Sequence, residues 1–253
     1  MNRLRFEDKT VVVTGAGSGM GHAAAIRLAS EGAKVMLIGR QPGPLEEARD
    51  EIKRNGGFSH IFLCDISKEK QVKETFSKLT AFSRQVDALF ANAGVLGAFR
   101  PLAEADVTDF SQPLETNLIG TFLTIRHCLP LISKGAILIN ASWTTASVMP
   151  GAGVYAATKA ALLAIMRTLA VECGSRSIRV NAVSPGVILT PMAASALPVE
   201  TVKSLALHAL LQRNGVPDDI AGTVAWLLSA DADYVTGQEI VVDGGFTTGG
   251  LRV

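Results

Sequence analysis

A short β-branched run, Thr10 to Thr14 (TVVVT), passes directly into a glycine-rich turn, Gly15-Ala16-Gly17-Ser18-Gly19-Met20-Gly21, and then into an alanine-rich helical stretch reaching about Ser30. Strand, glycine turn and helix in that order restrict the chain to a small set of α/β units. Glycines permit a tight turn and let backbone N–H groups approach a pyrophosphate, while the helix N-terminus adds partial positive charge. The same turn can also serve chain reversal alone, and its spacing departs from the GxGxxG fingerprint.

The unit recurs along the chain. Lys34 to Ile38 is a second apolar strand, followed by a helix near Leu45 to Arg54, a strand at Ser59 to Cys64, a helix from about Lys68 to Phe82 and a strand at Asp87 to Ala91. A long helical region from Asp106 to Ile132, interrupted near Pro113, precedes a strand at Ala136 to Asn140. A helix carrying Tyr155 and Lys159, a strand at Ile178 to Val183, helices near Val199 to Leu211 and Pro217 to Ser229, and a strand at Glu239 to Val242 complete the alternation. Right-handed crossovers then produce an α/β fold: a single Rossmann-type doubly wound parallel sheet of about seven strands with helices on both faces. With 253 residues, 48% of them hydrophobic, the chain can bury a large core, and residues 1–253 are expected to form one domain. The uncharged stretch from Ser184-Pro185-Gly186 as far as Val199, with its proline and alanine content, suggests a mobile lid, placed near 187–213.

The charge balance narrows the partners. A net charge of +1, from 24 basic and 23 acidic residues without long runs, leaves no footprint for nucleic acid or an anionic membrane. Cys64, Cys128 and Cys173 lack CxxC spacing and read as buried apolar residues, and His22, His60, His127 and His208 form no ligand motif, so no metal is expected. The segment MNRLRFEDKT has no apolar h-region, no uninterrupted apolar run reaches ~18 residues, and Leu251-Arg252-Val253 matches no retention or peroxisomal signal. A soluble, cytoplasmic protein is the expectation.

Polar residues cluster at strand ends, where open α/β sheets bind ligands. Arg40 follows the second strand, where a dinucleotide fold usually presents an acidic residue to the ribose; a guanidinium there favours a 2′-phosphate, or is an exposed loop arginine. Asp65 either touches a nucleotide or caps the next helix. Asn92, in Ala91-Asn92-Ala93-Gly94, holds a turn or contacts a ribose. Asn117, among apolar residues, is a bonding node or part of a polar relay. Ser142 follows the fifth strand without a GxSxG elbow, which points to hydrogen bonding of a substrate oxygen rather than nucleophilic attack. Tyr155 and Lys159 lie four residues apart, about one helical turn, which stacks a phenol beside an ammonium. The ammonium is expected to pull the phenol below its usual pKa of ~10 and so make it a proton donor and acceptor. Between Ala156 and Val171 the polar residues are Thr158, Lys159, Arg167 and Thr168, so this helix needs cover, and a second subunit packed also on the region Asn117 to Leu131 is the simplest source.

Together, TGAGSGMG at 14–21, ANAG at 91–94, Asn117, Ser142, YAATK at 155–159, SPG at 184–186 and VDGG at 242–245 resemble the short-chain dehydrogenase/reductase family over nearly the whole chain. The resemblance implies that Tyr155 is the general acid/base, Lys159 holds the nicotinamide ribose and supports the phenolate, Ser142 orients the substrate oxygen and Asn117 anchors a proton relay. It implies a cofactor site built from Gly15, Ser18, Gly19, Met20, Gly21, Arg40, Asp65, Ile66, Asn92, Ala93, Gly94, Pro185, Gly186, Ile188 and Thr190, together with Tyr155 and Lys159. Ala91 departs from a frequent asparagine, and Ser18 stands where many NADP-using relatives carry Arg or Lys. The implied activity is NADP(H)-dependent reduction of a ketone, with NAD(H) possible, in a homotetramer or homodimer. The segments Val95-Leu96, Trp143 to Val154 and Val187 to Val199 contain no Lys or Arg, which favours a neutral, moderately apolar carbonyl or alcohol substrate. The alternatives are an NAD-dependent sugar-alcohol or hydroxysteroid-like dehydrogenase and a non-catalytic dinucleotide sensor; the Tyr-to-Lys spacing is narrower than that of the enoyl reductase branch.

Overall fold

The computed structural model describes residues 4–249, so residues 1–3 and 250–253, including Leu251-Arg252-Val253, lie outside it. Seven strands form one parallel sheet: β1 (Thr10–Thr14), β2 (Lys34–Gly39), β3 (Phe58–Leu63), β4 (Ala88–Ala91), β5 (Gly135–Asn140), β6 (Ile178–Pro185) and β7 (Glu239–Val242), in the order β3-β2-β1-β4-β5-β6-β7. The order reverses between β1 and β4, which opens a crevice beyond their carboxyl ends.

Side-chain alternation divides the core between the two faces. Val11 and Val13 pack with α1 (Gly19–Ser30), α2 (Pro42–Arg54) and α9 (Pro217–Leu228), whereas Val12 points to the other face with α3 (Glu69–Phe82), α5 (Thr121–Cys128) and α6 (Gly153–Gly174). β1 and β4 are buried at every residue, as expected for central parallel strands covered on both faces. The helix α6 is 22 residues long and contains an 18-residue window of mean hydropathy 1.4, which meets the length and composition of a membrane span. Its buried stripe through Leu162, Met166 and Cys173 belongs to the core under the sheet.

Several boundaries differ from the sequence expectation. α2 starts at Pro42 rather than Leu45, because prolines at 42 and 44 fit a first helical turn, whose N–H groups need no partner. β3 runs one residue earlier than Ser59 to Cys64, in register with Lys34 to Gly39 of β2. A further helix, α7 (Pro191–Ala196), occupies part of the expected lid, started by Thr190, whose hydroxyl accepts from Ala193 N at 3.2 Å. α8 (Val199–His208) stops before Leu211, since Ala209 is extended. α4 (Val107–Pro113) gives way to a π-helical segment, Leu114–Gly120, at the interruption marked by Pro113. Asn117 lies in that widened segment with its side chain fully buried.

Candidate active site

The glycine turn is shaped by close approach. A side chain on Gly21 would put its Cβ 2.2 Å from Gly15 O, and Gly19 has a left-handed φ of +52°. α1 carries no acidic residue in its first turn, so its N-terminus faces the crevice with its partial positive charge uncancelled. Beneath the turn, Thr14 Oγ1 accepts from Asn92 N and Ala93 N, both at 3.0 Å, and Asn92 Nδ2 donates to Thr14 O at 2.9 Å. Asn140 Nδ2 donates to Asn92 Oδ1 at 2.9 Å. Both ends of the Asn92 amide therefore tie β1, β4 and β5 together, and the crevice wall is formed by its neighbours Ala93 and Gly94.

The same crevice is lined by Gly15, Ser18, Arg40, Asp65 and Ile66. Asp65 does not cap α3, whose N-cap is Lys68; its Oδ1 accepts from Ser67 N at 3.0 Å and Ser67 Oγ at 2.8 Å. Arg40 stands exposed at the mouth and has no ion-pair partner among the described residues. Cys64 and Thr116 also line the crevice and were not anticipated. The cysteine directly precedes Asp65 at a strand end, a signal that could have found it; Thr116 depends on the π-helical segment, which sequence periodicity does not show.

An apolar pocket adjoins this crevice. Ser142, Trp143, Tyr155, Pro185, Gly186, Ile188 and Thr190 line it, with Met20, Leu96, Phe99, Met149, Met192 and Leu197. Met20, Pro185, Gly186, Ile188 and Thr190, assigned to the cofactor from the sequence, thus border the pocket that also holds the phenol. Thr190 spans both sites, since a Cβ on Gly19 would lie 3.0 Å from its Cγ2. Among the described residues, no charged side chain lines the pocket. Phe99 was the residue missed, three positions beyond the Val95-Leu96 segment read from the sequence.

Tyr155 lies in the first turn of α6, half-buried at the pocket wall, and Lys159 follows one turn later with 3% of its surface exposed. Lys159 Nζ donates to Asn140 O at 2.7 Å and lies 5.6 Å from the centre of the Tyr155 ring. Asn117 Oδ1 accepts from Val95 N at 2.7 Å, and its Nδ2 donates to Val95 O at 2.8 Å and to Thr158 Oγ1 at 3.1 Å. Asn117 is therefore a bonding node that fastens the backbone after β4 to α6. Gly94 passes beside it, where a Cβ would sit 3.1 Å from Asn117 Oδ1 and 3.6 Å from Lys159 Nζ. Ser142 is buried, and its Oγ accepts from Thr144 Oγ1 at 2.9 Å and Thr144 N at 3.2 Å.

The expected pull of Lys159 on the phenol is corrected by burial. Tyr155 is pushed up to about 12 by desolvation, opposed by its hydrogen bond with Ser142, and Lys159 is brought down to about 8 by desolvation. A low-dielectric site disfavours both charged forms, and this outweighs the attraction expected from their spacing. The phenol is consequently a protonated donor at neutral pH, beside a lysine that still carries its proton.

The sequence family described as enoyl-(acyl carrier protein) reductase matches residues 15–247. A glucose 1-dehydrogenase of Gluconobacter oxydans (strain 621H) is 38% identical over 249 residues, covering 96% of this chain and 93% of that one. A cyclopentanol dehydrogenase of Comamonas sp. (strain NCIMB 9872) is 34% identical over 247 residues, covering 96% and 98%. The crystal structure of levodione reductase superposes with a TM-score of 0.94 at 31% identity, over 97% of this chain and 100% of that one.

Proposed function

The chain belongs to the short-chain dehydrogenase/reductase family, and from that premise we propose that it reversibly reduces a neutral, moderately apolar ketone to a secondary alcohol, using NADP(H) in preference to NAD(H). At the coarser level it is an NAD(P)(H)-dependent oxidoreductase of CH–OH and C=O groups. The observation that supports the finer reading most is that Tyr155 and Ser142 line one pocket with no charged side chain among the described residues, beside a glycine-lined crevice with Arg40 at its mouth.

The crevice fits a dinucleotide. Backbone N–H groups from Gly15 to Gly21 and the start of α1 would hold the pyrophosphate, Asp65 and Ile66 the adenosine end, and Arg40 a 2′-phosphate. When bound, the nicotinamide supplies hydride to the carbonyl carbon or takes it back. Ser142 holds the substrate oxygen in line with the phenol, and Tyr155 gives that oxygen its proton, so no free alkoxide has to exist in a dry pocket. Lys159 keeps its ammonium beside the phenol, where it stabilises the phenolate left after proton transfer and would hold the nicotinamide ribose. In this reading Asn117 acts by fixing α6 against the backbone after β4.

Apolar surface left on the outer helices supports a homo-oligomer, a tetramer or dimer. Val171 on α6 is 84% exposed, and Ile119 in the π-helical segment and Phe122 on α5 are each 47% exposed. The lid of residues 187–213 is part of the same proposal, since neither α7 nor α8 has a buried residue.

A cyclic substrate would suit the pocket, and two relatives carry ring alcohols in their names, the cyclopentanol dehydrogenase and a 2,5-dichloro-2,5-cyclohexadiene-1,4-diol dehydrogenase. A panel of neutral cyclic and linear ketones, with carboxylated and phosphorylated ones, run against NADPH and NADH and followed by nicotinamide absorbance, tests the proposal. Turnover of neutral ketones with NADPH is expected. Activity confined to anionic substrates would overturn the substrate class, and equal or better use of NADH would overturn the role of Arg40.

A further inference from the structure

Ser142 sits in a turn, Ser142 to Thr145, that leaves β5 just after Ala141 N donates to Val183 O at 2.8 Å. The turn carries both the substrate-facing hydroxyl and the indole wall of the pocket. Within it, Thr145 Oγ1 donates to Ser142 O at 2.8 Å. The same Thr145 Oγ1 lies 3.1 Å from Glu239 Oε1, so its single hydroxyl proton is shared between the Ser142 carbonyl and a carboxylate.

Glu239 opens β7, two strands away from β5. Its Oε1 also accepts from Ser184 Oγ at 2.6 Å, and Ser184, on the intervening β6, is fully buried. One carboxylate oxygen thus joins β7, β6 and the turn, through bonds that an ionised acceptor makes about twice as strong as neutral ones. The segment after β7 supports the same turn from another side. Asp243 accepts from Gly245 N at 2.8 Å and from Thr247 N and Thr247 Oγ1, both at 2.7 Å. That bend brings the Phe246 ring to 4.7 Å from Trp143 in an edge-on contact at 60°.

We propose that Glu239 is a positioning residue for the reaction: through Thr145 and Ser184 its carboxylate holds the 142–145 turn so that the Ser142 hydroxyl meets the Tyr155 hydroxyl across the pocket. The proposal rests on the reading of Ser142 as the substrate-oxygen contact. Glu239 lines neither the crevice nor the apolar pocket; it acts by fixing where an oxygen is held, and a misplacement of about 1 Å at such a point costs on the order of a hundredfold in rate.

The test compares purified full-length Glu239→Ala, Glu239→Gln, Thr145→Val, Ser142→Ala and the Glu239→Ala/Thr145→Val double variant, with cyclopentanone or the fastest neutral ketone of the panel as probe. Glu239→Ala and Thr145→Val are each expected to lower kcat by about tenfold, with dinucleotide Kd held within about twofold of wild type. The double variant is expected to lose no more than the worse single, because the two side chains act through one connection. Glu239→Gln is expected to restore most of kcat, since its amide oxygen still accepts from both hydroxyls. Wild-type kcat in Glu239→Ala or in Thr145→Val, or losses that multiply in the double variant, would overturn the proposal, whatever happens to Tm. Should Glu239→Ala not fold, Thr145→Val and Glu239→Gln decide alone, on the same outcomes. A Ser142→Ala enzyme as active as wild type would instead remove the role of Ser142 itself; impaired Ser142→Ala beside an unimpaired Glu239→Ala would sink only the positioning claim.

Discussion

Below the glycine turn, Thr14, Asn92 and Asn140 bond the ends of three strands to one another, whereas α7 on the wall of the apolar pocket and the following α8 bury no residue. The first region gains its rigidity from buried, paired amides between adjacent strands, which open only with the sheet itself. The second rests on partly exposed contacts, and under the lid proposal it is the part that rearranges. Tyr155 sits where the two meet, rooted in α6 but facing the pocket. A dinucleotide is chemically constant and suits a fixed cradle; substrates vary, and a loosely held wall can be reshaped without disturbing that cradle.

The largest effect should come at the junction. Tyr155→Phe is expected to reduce turnover by about 10²–10⁴-fold while leaving dinucleotide binding intact, with nicotinamide absorbance and fluorescence titration as the two readouts. Parallel loss of binding would mean that the junction belongs to the rigid half. Next, Gly21→Ala forces a Cβ toward Gly15 O, where it would lie 2.2 Å away. It should cost about 1–3 kcal/mol in thermal or urea denaturation and weaken the dinucleotide as well. Normal stability in that variant would show the cradle to be softer than its bonding indicates.

Arg40→Ala is expected to raise the KM for NADPH by about tenfold and that for NADH by less than about twofold, as loss of one charge-assisted phosphate contact would do. Equal changes for both would separate the crevice mouth from 2′-phosphate recognition. A smaller signal lies in pH. Burial brings native Lys159 down to about 8, below its ordinary 10.5, so between these values the unfolded chain binds the additional proton and stability rises with pH. Tyr155, pushed up to about 12 from 10.0, acts in the opposite sense and only above its ordinary value, because there the unfolded chain loses its proton first. The Tm of Lys159→Met relative to wild type should therefore fall between about pH 8 and pH 10 in paired thermal melts. Smallest of all, Met192→Ala at the pocket wall should shift the KM for ketones while changing stability by less than about 0.5 kcal/mol, and a large loss of Tm would show the lid to be structural.

Much of the crevice was legible because its signals are local. The glycine turn follows its strand without a gap, and Tyr155 and Lys159 announce a shared helix face by spacing alone. The apolar segments around Leu96, Trp143 and Val187 do line one pocket, and the lack of a cation there follows directly from their composition. Asn117 was ambiguous because its partners, Val95 and Thr158, are distant in sequence, and Asn92 because its amide is spent on Thr14 and Asn140. α7 escaped notice as a short helix whose start depends on one Thr190 bond, and Glu239 read only as the first residue of a final strand.

By itself the sequence determined the alternation that makes a parallel sheet, the position of its crevice and the pairing of a phenol with an amine, since periodicity, turn chemistry and helical spacing act over a few residues. Tertiary structure alone decided in which direction the pKa of each member of that pair moves. The sign of the Tyr155 shift depends on how much water the surrounding elements exclude, and exclusion of water is a property of packing that no short stretch of chain carries.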